Sequence, residues 1–114
     1  MEKKRNRLYE GMYILNSSLS EEALKKSIKK ITETITKKGG EVHKIHEMGK
    51  KKLSYEIKGK KEGFYYLIYF TTNSSNIAPL CKEYNFHEDI IRFIIIQTKS
   101  IKEKLEYPVL KGEF

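Results

Sequence analysis

The sequence contains little cysteine and no long apolar run, and these two shortages limit what the protein can be. Cys81 is the single cysteine, so an internal disulfide is impossible and the chain suits a reducing compartment. The longest apolar runs, residues 64–70 and 93–96, are far too short to cross a bilayer. Residues 1–7 are mostly charged and precede no apolar run long enough for a signal peptide. We therefore expect a cytoplasmic protein with no membrane partner.

The sequence also lacks the motifs that usually mark catalysis or a tightly held ligand. It has no nucleotide-binding P-loop, no glycine-rich phosphate cradle and no recognisable nucleophile motif around its serines. His43 and His46 are three residues apart on a predicted strand, so they point to opposite faces unless a bulge intervenes. His87 and Cys81 lie far from both in the sequence. The prediction is a protein that is not an enzyme and has no metal, cofactor or small-molecule substrate.

Positive charge, in contrast, is abundant. The 114 residues include 23 lysines and arginines against 15 acidic residues, which gives a net charge of +8. A surface of this kind attracts polyanions such as RNA, DNA or acidic lipids, and charge alone does not choose among them. The length is that of one domain with a modest core.

Four segments rich in aliphatic and aromatic residues predict β-strands. They are residues 8–15, 42–58, 64–71 and 90–98. The apolar alternation of the second segment changes phase around Gly49, which predicts a bulge or bend there. Residues 59–63 predict the turn that leads into the third segment. That third segment is apolar on both faces, which is typical of a strand in the middle of a sheet.

Two helices are predicted between these strands. In the first, apolar residues recur at helical spacing, Ser18 or Ser20 can cap the start, and Gly39 and Gly40 end it. Pro79 fits only the first turn of the second helix, which must therefore begin around Ser75 or Asn76. The order strand, helix, strand, strand, helix, strand predicts an α+β fold of the ferredoxin-like split βαββαβ type. This fold is a four-stranded antiparallel sheet with two helices on one face.

The second sheet face has no helix to cover it, and we predict an apolar patch there. Glu10 and Arg92 are assigned to this open face because a buried charge is costly, whereas Ile91, Phe93 and Ile95 are assigned to the helix side. An exposed apolar patch usually marks an interface. Inverted faces, or a tail folded over the patch, are the alternatives. The predicted protein-partner face consists of Met12, Ile14, Tyr65, Leu67, Tyr69, Ile94 and Ile96.

Lysines are concentrated on the second strand and the hairpin that follows it. Residues 43–61 contain seven lysines and two glutamates, a net charge of +5. Lysines on an edge strand prevent aggregation, but seven exceed that need, and contact with phosphates is the sharper hypothesis. Residues 1–7 form either an RNA-binding arm or a solubilising tail. The candidate RNA-binding residues from charge are Arg7, Lys50, Lys51, Lys52, Lys58, Lys60 and Lys61.

Two other ferredoxin-like functions are considered. Residues 62–69 loosely resemble the third strand of an RNA-recognition motif, although Glu62 replaces a basic residue and Tyr65 a small one. The alternative function is therefore an RRM-like single-stranded RNA-binding module in which Tyr65 and Tyr69 stack on bases; packing in the core is the other use of these rings. An acylphosphatase-like hydrolase would need an anion-cradling loop after the first strand, but residues 16–18 contain no glycine or arginine.

Four blocks resemble bacterial small-subunit ribosomal protein S six (S6), in order and at the family spacing. They are RLYEGMYIL at 7–15, GKKKLSYEIK at 49–58, GFY at 63–65 and NFHEDIIRF at 85–93. The second block is the most specific. The resemblance spans residues 7–98, leaving a basic N-terminal extension at 1–6 and a charged C-terminal tail at 99–114. Glu56 stands where many members have proline, and Lys52 is unusual in its position.

The resemblance implies a βαββαβ fold and a structural role in the platform region of the small ribosomal subunit. It implies binding to small-subunit (16S) rRNA together with ribosomal protein S eighteen (S18). The lysines of the block that begins at Gly49, and Arg92, are the residues that the resemblance assigns to RNA contact. The predicted apolar patch supplies a surface for the protein partner.

Overall fold

The computed structural model describes residues 6–57 and 59–101, which form one sheet and two helices. The strands are β1 (Asn6–Asn16), β2 (Glu41–Ile57), β3 (Lys60–Asn73) and β4 (Ile90–Gln97), and the helices are α1 (Glu21–Lys37) and α2 (Ile77–Asn85), with a 3₁₀ turn at Ser74–Asn76 before α2. The predicted N-terminal extension apart from Asn6, residue Lys58 and the tail beyond Ile101 lie outside the described residues. No helix in the described part is long and apolar enough to span a membrane.

Both helices begin and end where local chemistry predicts. Ser20, rather than Ser18, caps α1, because its side-chain oxygen accepts a hydrogen bond from the Ala23 amide at 3.1 Å. Gly39 has a φ of 83°, a left-handed conformation that ends the helix at little cost. Helix α2 begins two residues before Pro79, which therefore lies in its first turn, where the missing amide proton is not needed.

The sheet is antiparallel with the strand order β2-β3-β1-β4, so the predicted ferredoxin-like fold is confirmed. Strand β1 pairs with β3 along its whole length and with β4 on its other side. Strands β2 and β4 are the two edges. Both helices pack on one face of this sheet.

The main core lies between the helices and the sheet. Two tyrosine hydrogen bonds organise its centre. The hydroxyl of Tyr13 donates to that of Tyr84 at 3.2 Å, and Tyr84 donates to the carbonyl oxygen of Ile31 in α1 at 3.1 Å. Burial raises the pKa of both tyrosines, so their hydroxyls remain protonated donors. These contacts satisfy polar atoms that would otherwise be costly inside the core. The core also contains Tyr9, Leu15, Leu24, Ile35, Tyr66, Ile68, Phe70, Leu80 and Ile90.

The β2–β3 hairpin is longer and more bent than the sequence suggests. The predicted bulge is confirmed, since Glu47 pairs with Tyr66 and Gly49 with Tyr65, which leaves Met48 as an extra residue. Gly49 has a φ of 88°, a left-handed conformation typical of such bulges. The turn predicted over residues 59–63 is wrong in extent, because β3 already begins at Lys60. Gly59, which directly precedes β3, is also left-handed. Its conformation lets the chain reverse direction over fewer residues than predicted.

A bulge between β1 and β4 corrects one predicted side-chain position. Arg92 pairs with Ile14 but Ile90 pairs with Leu15, so Ile91 is the extra residue. Ile91 therefore turns to the open face, where it packs with Ile14 and Tyr65, and Ile90 takes its place in the main core. The prediction that Ile91 faces the helices is wrong, since strict alternation does not hold across a bulge.

Helix α1 is tied to the segment between α2 and β4 by a serine, an aspartate and a histidine. The Ser27 hydroxyl donates to a carboxylate oxygen of Asp89 at 2.5 Å, and the Asp89 amide donates to Nδ1 of His87 at 3.3 Å. This geometry differs from that of a catalytic triad, because the serine donates to the aspartate and not to the histidine. Burial lowers the pKa of His87, with Lys30 contributing in the same direction.

The lowered pKa of His87 predicts a loss of stability in mild acid. The unfolded chain binds the proton more tightly than the folded one, so stability is full above the unfolded pKa of about 6.5 and falls as the pH drops through the lower folded value. The slope should stay well below the limit of about 1.4 kcal/mol per pH unit for one fully coupled proton, because the ring is only partly buried.

Urea unfolding at pH 7.5 and at pH 5.5 measures this loss. The His87→Asn variant keeps an acceptor for the Asp89 amide but does not titrate, so it should lose less stability between the two pH values than the wild type. Equal losses in both proteins would show that carboxylates elsewhere cause the effect.

Candidate nucleic-acid and protein interface

The predicted open face is indeed the face opposite the helices, but much less of it is exposed than expected. Met12, Ile14 and Tyr65 belong to a small cluster that is separate from the main core. Of the seven predicted partner-face residues, only three are accessible. Ile94 is 42% exposed, Ile96 is 53% exposed, and Met12 is half-buried. The other four, Ile14, Tyr65, Leu67 and Tyr69, are buried, so the prediction that they form an exposed patch is wrong.

Residues of the bent β2–β3 hairpin cover part of this face. Met48, Leu53 and Ile57 of β2 pack against the cluster around Ile14 and Tyr65. A bulge or bend near Gly49 was predicted from the sequence, but no covering role was predicted for β2. The signal that was available is the presence of the apolar residues Leu53 and Ile57 in a segment otherwise rich in lysine.

Tyr69 is covered by a different group of neighbours. Its hydroxyl donates to a carboxylate oxygen of Glu10 at 3.2 Å, and the His46 ring meets its edge with ring centroids 6.0 Å apart. A bulge between Val42 and Lys44 puts His43 on this same side, where its Nε2 lies 3.1 Å from the hydroxyl oxygen of Thr71. The two histidines were expected on opposite faces unless a bulge intervened. A bulge does intervene, so they lie on the same face.

The accessible remainder of the open face is a strip along β1 and β4. Met12 pairs directly with Ile94, and Ile96 pairs with Glu10. Cross-strand neighbours of this kind lie about 5 Å apart, so the apolar side chains form a continuous surface. We call Met12, Ile94 and Ile96 the apolar strip. Two exposed isoleucines on one edge strand are unusual for so polar a chain.

Lys50, Lys51 and Lys52 lie on the edge strand β2, opposite Phe64, Gly63 and Glu62 of β3. These pairings place Lys50 and Lys52 on one face of the hairpin and Lys51 on the other. The Lys50 ammonium lies 5.5 Å from the centroid of the Phe64 ring, which packs against the main core, so Lys50 and Lys52 are on the helix side.

Lys60 and Lys61 lie on β3 in the same hairpin, with Lys61 exposed and Lys60 half-buried. Among the described residues, no salt bridge to a carboxylate neutralises any of these lysines. The structure thus brings together the five candidate lysines that it describes, and we call them the lysine hairpin: Lys50, Lys51, Lys52, Lys60 and Lys61.

Arg92 lies at the opposite edge of the sheet but reaches the same hairpin. Its side chain is exposed on β4, and its Nη1 donates to the hydroxyl of Tyr55 in β2 at 3.0 Å. Tyr55 is 58% exposed. Tyr55 belongs to the most specific S6-like block, but no role for it was predicted from the sequence. Its contact with Arg92 depends on the bend of the hairpin, which the local sequence does not reveal.

Arg7 is not brought together with the other candidates. It is exposed near the start of β1, opposite Thr72, whereas Arg92 pairs with Ile14 seven residues further along the strand. At about 3.3 Å per residue, this separation is roughly 23 Å. Arg7 therefore remains a separate candidate, and Lys58 lies outside the described residues.

The stacking surface required by the RRM-like alternative is not exposed in this structure. Tyr65 and Tyr69 are each 1% exposed, which leaves no ring face for a base. Burial raises the pKa of Tyr65, as expected for a ring that packs inside the fold. The open face of this sheet is thus built differently from an RNA-recognition motif, in which the central strands present exposed aromatic rings.

Comparison with known proteins gives a consistent result. The family model described as "Ribosomal protein S6" matches residues 8–97. The chain is 49% identical over 110 residues to small ribosomal subunit protein bS6 of Chlamydia pneumoniae, covering 96% of this chain and 98% of that one. It is 50% identical to the same protein of Chlamydia abortus, with the same coverage. The crystal structure of 30S ribosomal protein S6 from Thermotoga maritima superposes with a TM-score of 0.78 at 30% identity, covering 82% of this chain and 89% of that one.

Proposed function

Because the chain belongs to the ribosomal protein S6 family, and is therefore a structural, non-enzymatic constituent of the small ribosomal subunit, we propose that it binds 16S rRNA together with ribosomal protein S18. As a member of this family, the protein is located in the ribosome, in the bacterial cytoplasm. The function involves no bond-making chemistry. The protein helps to hold an RNA junction by presenting one surface to phosphates and another to a neighbouring protein.

The observation that supports this proposal is the presence of two chemically different surfaces on one small domain. The lysine hairpin is positively charged and projects from the edge of the sheet at β2, whereas the apolar strip lies near the other edge at β4. Phosphate oxygens bind ammonium groups, and an apolar strip is stabilised only when another apolar surface removes it from water. One molecule can therefore contact RNA and protein at the same time.

The charges predict how such an assembly should behave. Each lysine that neutralises a phosphate releases a counterion, so the observed affinity falls with a log–log slope of roughly 0.7 to 0.9 per contact as salt rises. A single small domain makes few such contacts and should bind RNA weakly alone. Burial of the apolar strip against S18 would add free energy that does not depend on salt in this way.

Binding of the chain to the central domain of 16S rRNA, with and without S18 and across a salt series, tests the proposal. We expect tight binding only when both proteins are present, with a steep loss as salt rises. An unstructured RNA of equal length is the control, because it offers the same charge without the junction. Tight binding of the chain alone to the control RNA would instead favour the RRM-like function, and it would require Tyr65 and Tyr69 to become exposed.

A further inference from the structure

We propose that Tyr55 and Arg92 together form a binding site for one unpaired base of the RNA and its adjoining phosphate. This inference rests on the proposed RNA-binding function and specifies where a single nucleotide is held. The two residues come from opposite edges of the sheet, β2 and β4, and their hydrogen bond of 3.0 Å crosses above the buried side chains of Ile14, Tyr65 and Ile91.

The tyrosine provides a flat surface that is held in place. Tyr55 as a whole residue is 58% exposed, although its hydroxyl accepts the hydrogen bond from Arg92. The neighbouring Leu53 and Ile57, two residues away on either side, pack into the cluster beneath and fix the strand that bears the ring. An aromatic ring with a free face and a fixed orientation stacks on any nucleobase, since every base has a π-face.

The arginine provides the charge and the donors that a nucleotide requires. A guanidinium group has five N–H donors, and the contact with Tyr55 uses one of them. Within the described residues Arg92 forms no salt bridge with a carboxylate, so its charge remains available. The remaining donors suit phosphate oxygens or a base edge, and the guanidinium plane can stack on a base as the tyrosine ring does.

The surroundings favour a nucleotide over an apolar protein side chain as the occupant. An apolar side chain placed over Tyr55 would remove water from the Arg92 guanidinium without supplying an acceptor, which is unfavourable. Lys51, on the same face of the sheet, adds a second positive charge near the hairpin. The strip of Met12, Ile94 and Ile96 begins beyond Arg92 on β4, so a protein partner can still occupy that part of the face.

A tryptophan at position 55 tests the stacking directly, because the sequence contains no tryptophan. The Tyr55→Trp variant of the full chain is mixed with S18 and the central domain of 16S rRNA, and the S18–RNA mixture is the background. We expect its fluorescence to be quenched when RNA binds. The control is Phe86→Trp, at a position that is 77% exposed at the end of α2. Quenching of neither variant, or of both equally, would overturn the inference.

Affinity measurements separate this inference from the function on which it rests. Tyr55→Leu should weaken RNA binding by about 5- to 150-fold without changing the salt slope, since stacking does not involve a counterion. Tyr55→Phe keeps the ring and should lose less than about 5-fold. If the wild type binds the RNA and Tyr55→Leu binds equally well, the nucleotide site is refuted but the function stands. If the wild type does not bind with S18 present, the proposed function itself fails.

Discussion

Replacement of Ile94 and Ile96 by serine should weaken joint binding of the RNA by about 30- to 1,000-fold. Full burial of an isoleucine contributes about 1.5–3 kcal/mol, and these side chains keep 42% and 53% of their surface exposed. Covering that surface would therefore contribute about 1 kcal/mol for each residue. Each buried serine hydroxyl adds a further penalty of up to about 1 kcal/mol. The total, about 2–4 kcal/mol, gives the stated range of affinity.

The measurement is the dissociation constant of the RNA complex with S18 present and with S18 absent. The loss should occur only with S18 present, because the apolar strip is proposed to meet the protein and not the RNA. Phe86→Ser is the matched control, since Phe86 is 77% exposed at the end of α2 and its loss should leave binding unchanged. An equal loss without S18 would contradict the assignment of the strip to a protein partner.

Folding must be measured in the same variants, and Leu67→Ser provides the contrast. Replacement of each exposed isoleucine should lower the free energy of unfolding by no more than about 1 kcal/mol. The reason is that the strand propensities of different residues span only about 1 kcal/mol. Leu67 is 1% exposed, and its replacement by serine should cost about 3–5 kcal/mol through the cavity and the buried hydroxyl. A similar loss for Ile94 would mean that it is part of the core.

Replacement of Lys50, Lys51 and Lys52 by glutamine should weaken RNA binding by about 100- to 500-fold at 0.1 M salt. Each lysine that contacts a phosphate contributes about 0.7 to 0.9 to the log–log slope, and three contacts therefore change the affinity by about two to three powers of ten. The lysines flank the outer edge of β2 from both faces, so an RNA backbone that follows this edge can meet all three. The slope itself should fall by about 2 to 3.

The control for this variant has the same change in net charge at a different place. Lys25, Lys26 and Lys29 are exposed on α1, and their replacement by glutamine removes three charges from the helix instead of from the edge of the sheet at β2. We expect that control to lose little affinity, because only long-range attraction changes. Equal losses in the two triple variants would show that net charge, and not the lysine hairpin, determines binding.

The fold was predictable from the sequence because its signals are local. The spacing of Leu24, Ile31 and Ile35 predicts α1, and Ser20 with Gly39 sets its ends. The side of the sheet that faces the helices followed from a physical argument, the cost of burying the charge of Glu10 or Arg92. Such arguments use one residue and its near neighbours along the chain, and they do not depend on how distant segments bend.

The exposure of the open face was not predictable, because it depends on segments that are distant in the sequence. Whether Leu67 is exposed depends on the rest of the folded chain, and the bulges at Gly49 and Ile91 bend or shift the strands by amounts that periodicity does not reveal. The pairing of Tyr55 with Arg92 joins residues 37 positions apart across the two intervening strands, β3 and β1, which no spacing rule would connect. Burial by distant segments is a tertiary property.

The most direct test of the account measures which lysines the assembled complex protects. The free chain, and its complex with S18 and the central domain of 16S rRNA, are briefly acetylated, and the modification at each lysine is quantified by mass spectrometry. We predict strong protection of Lys50, Lys51 and Lys52, with Lys25 and Lys26 on α1 as reactive as in the free chain. Protection of the α1 lysines with the hairpin still reactive would contradict the account, because RNA would then contact helix α1 and not the edge of the sheet at β2.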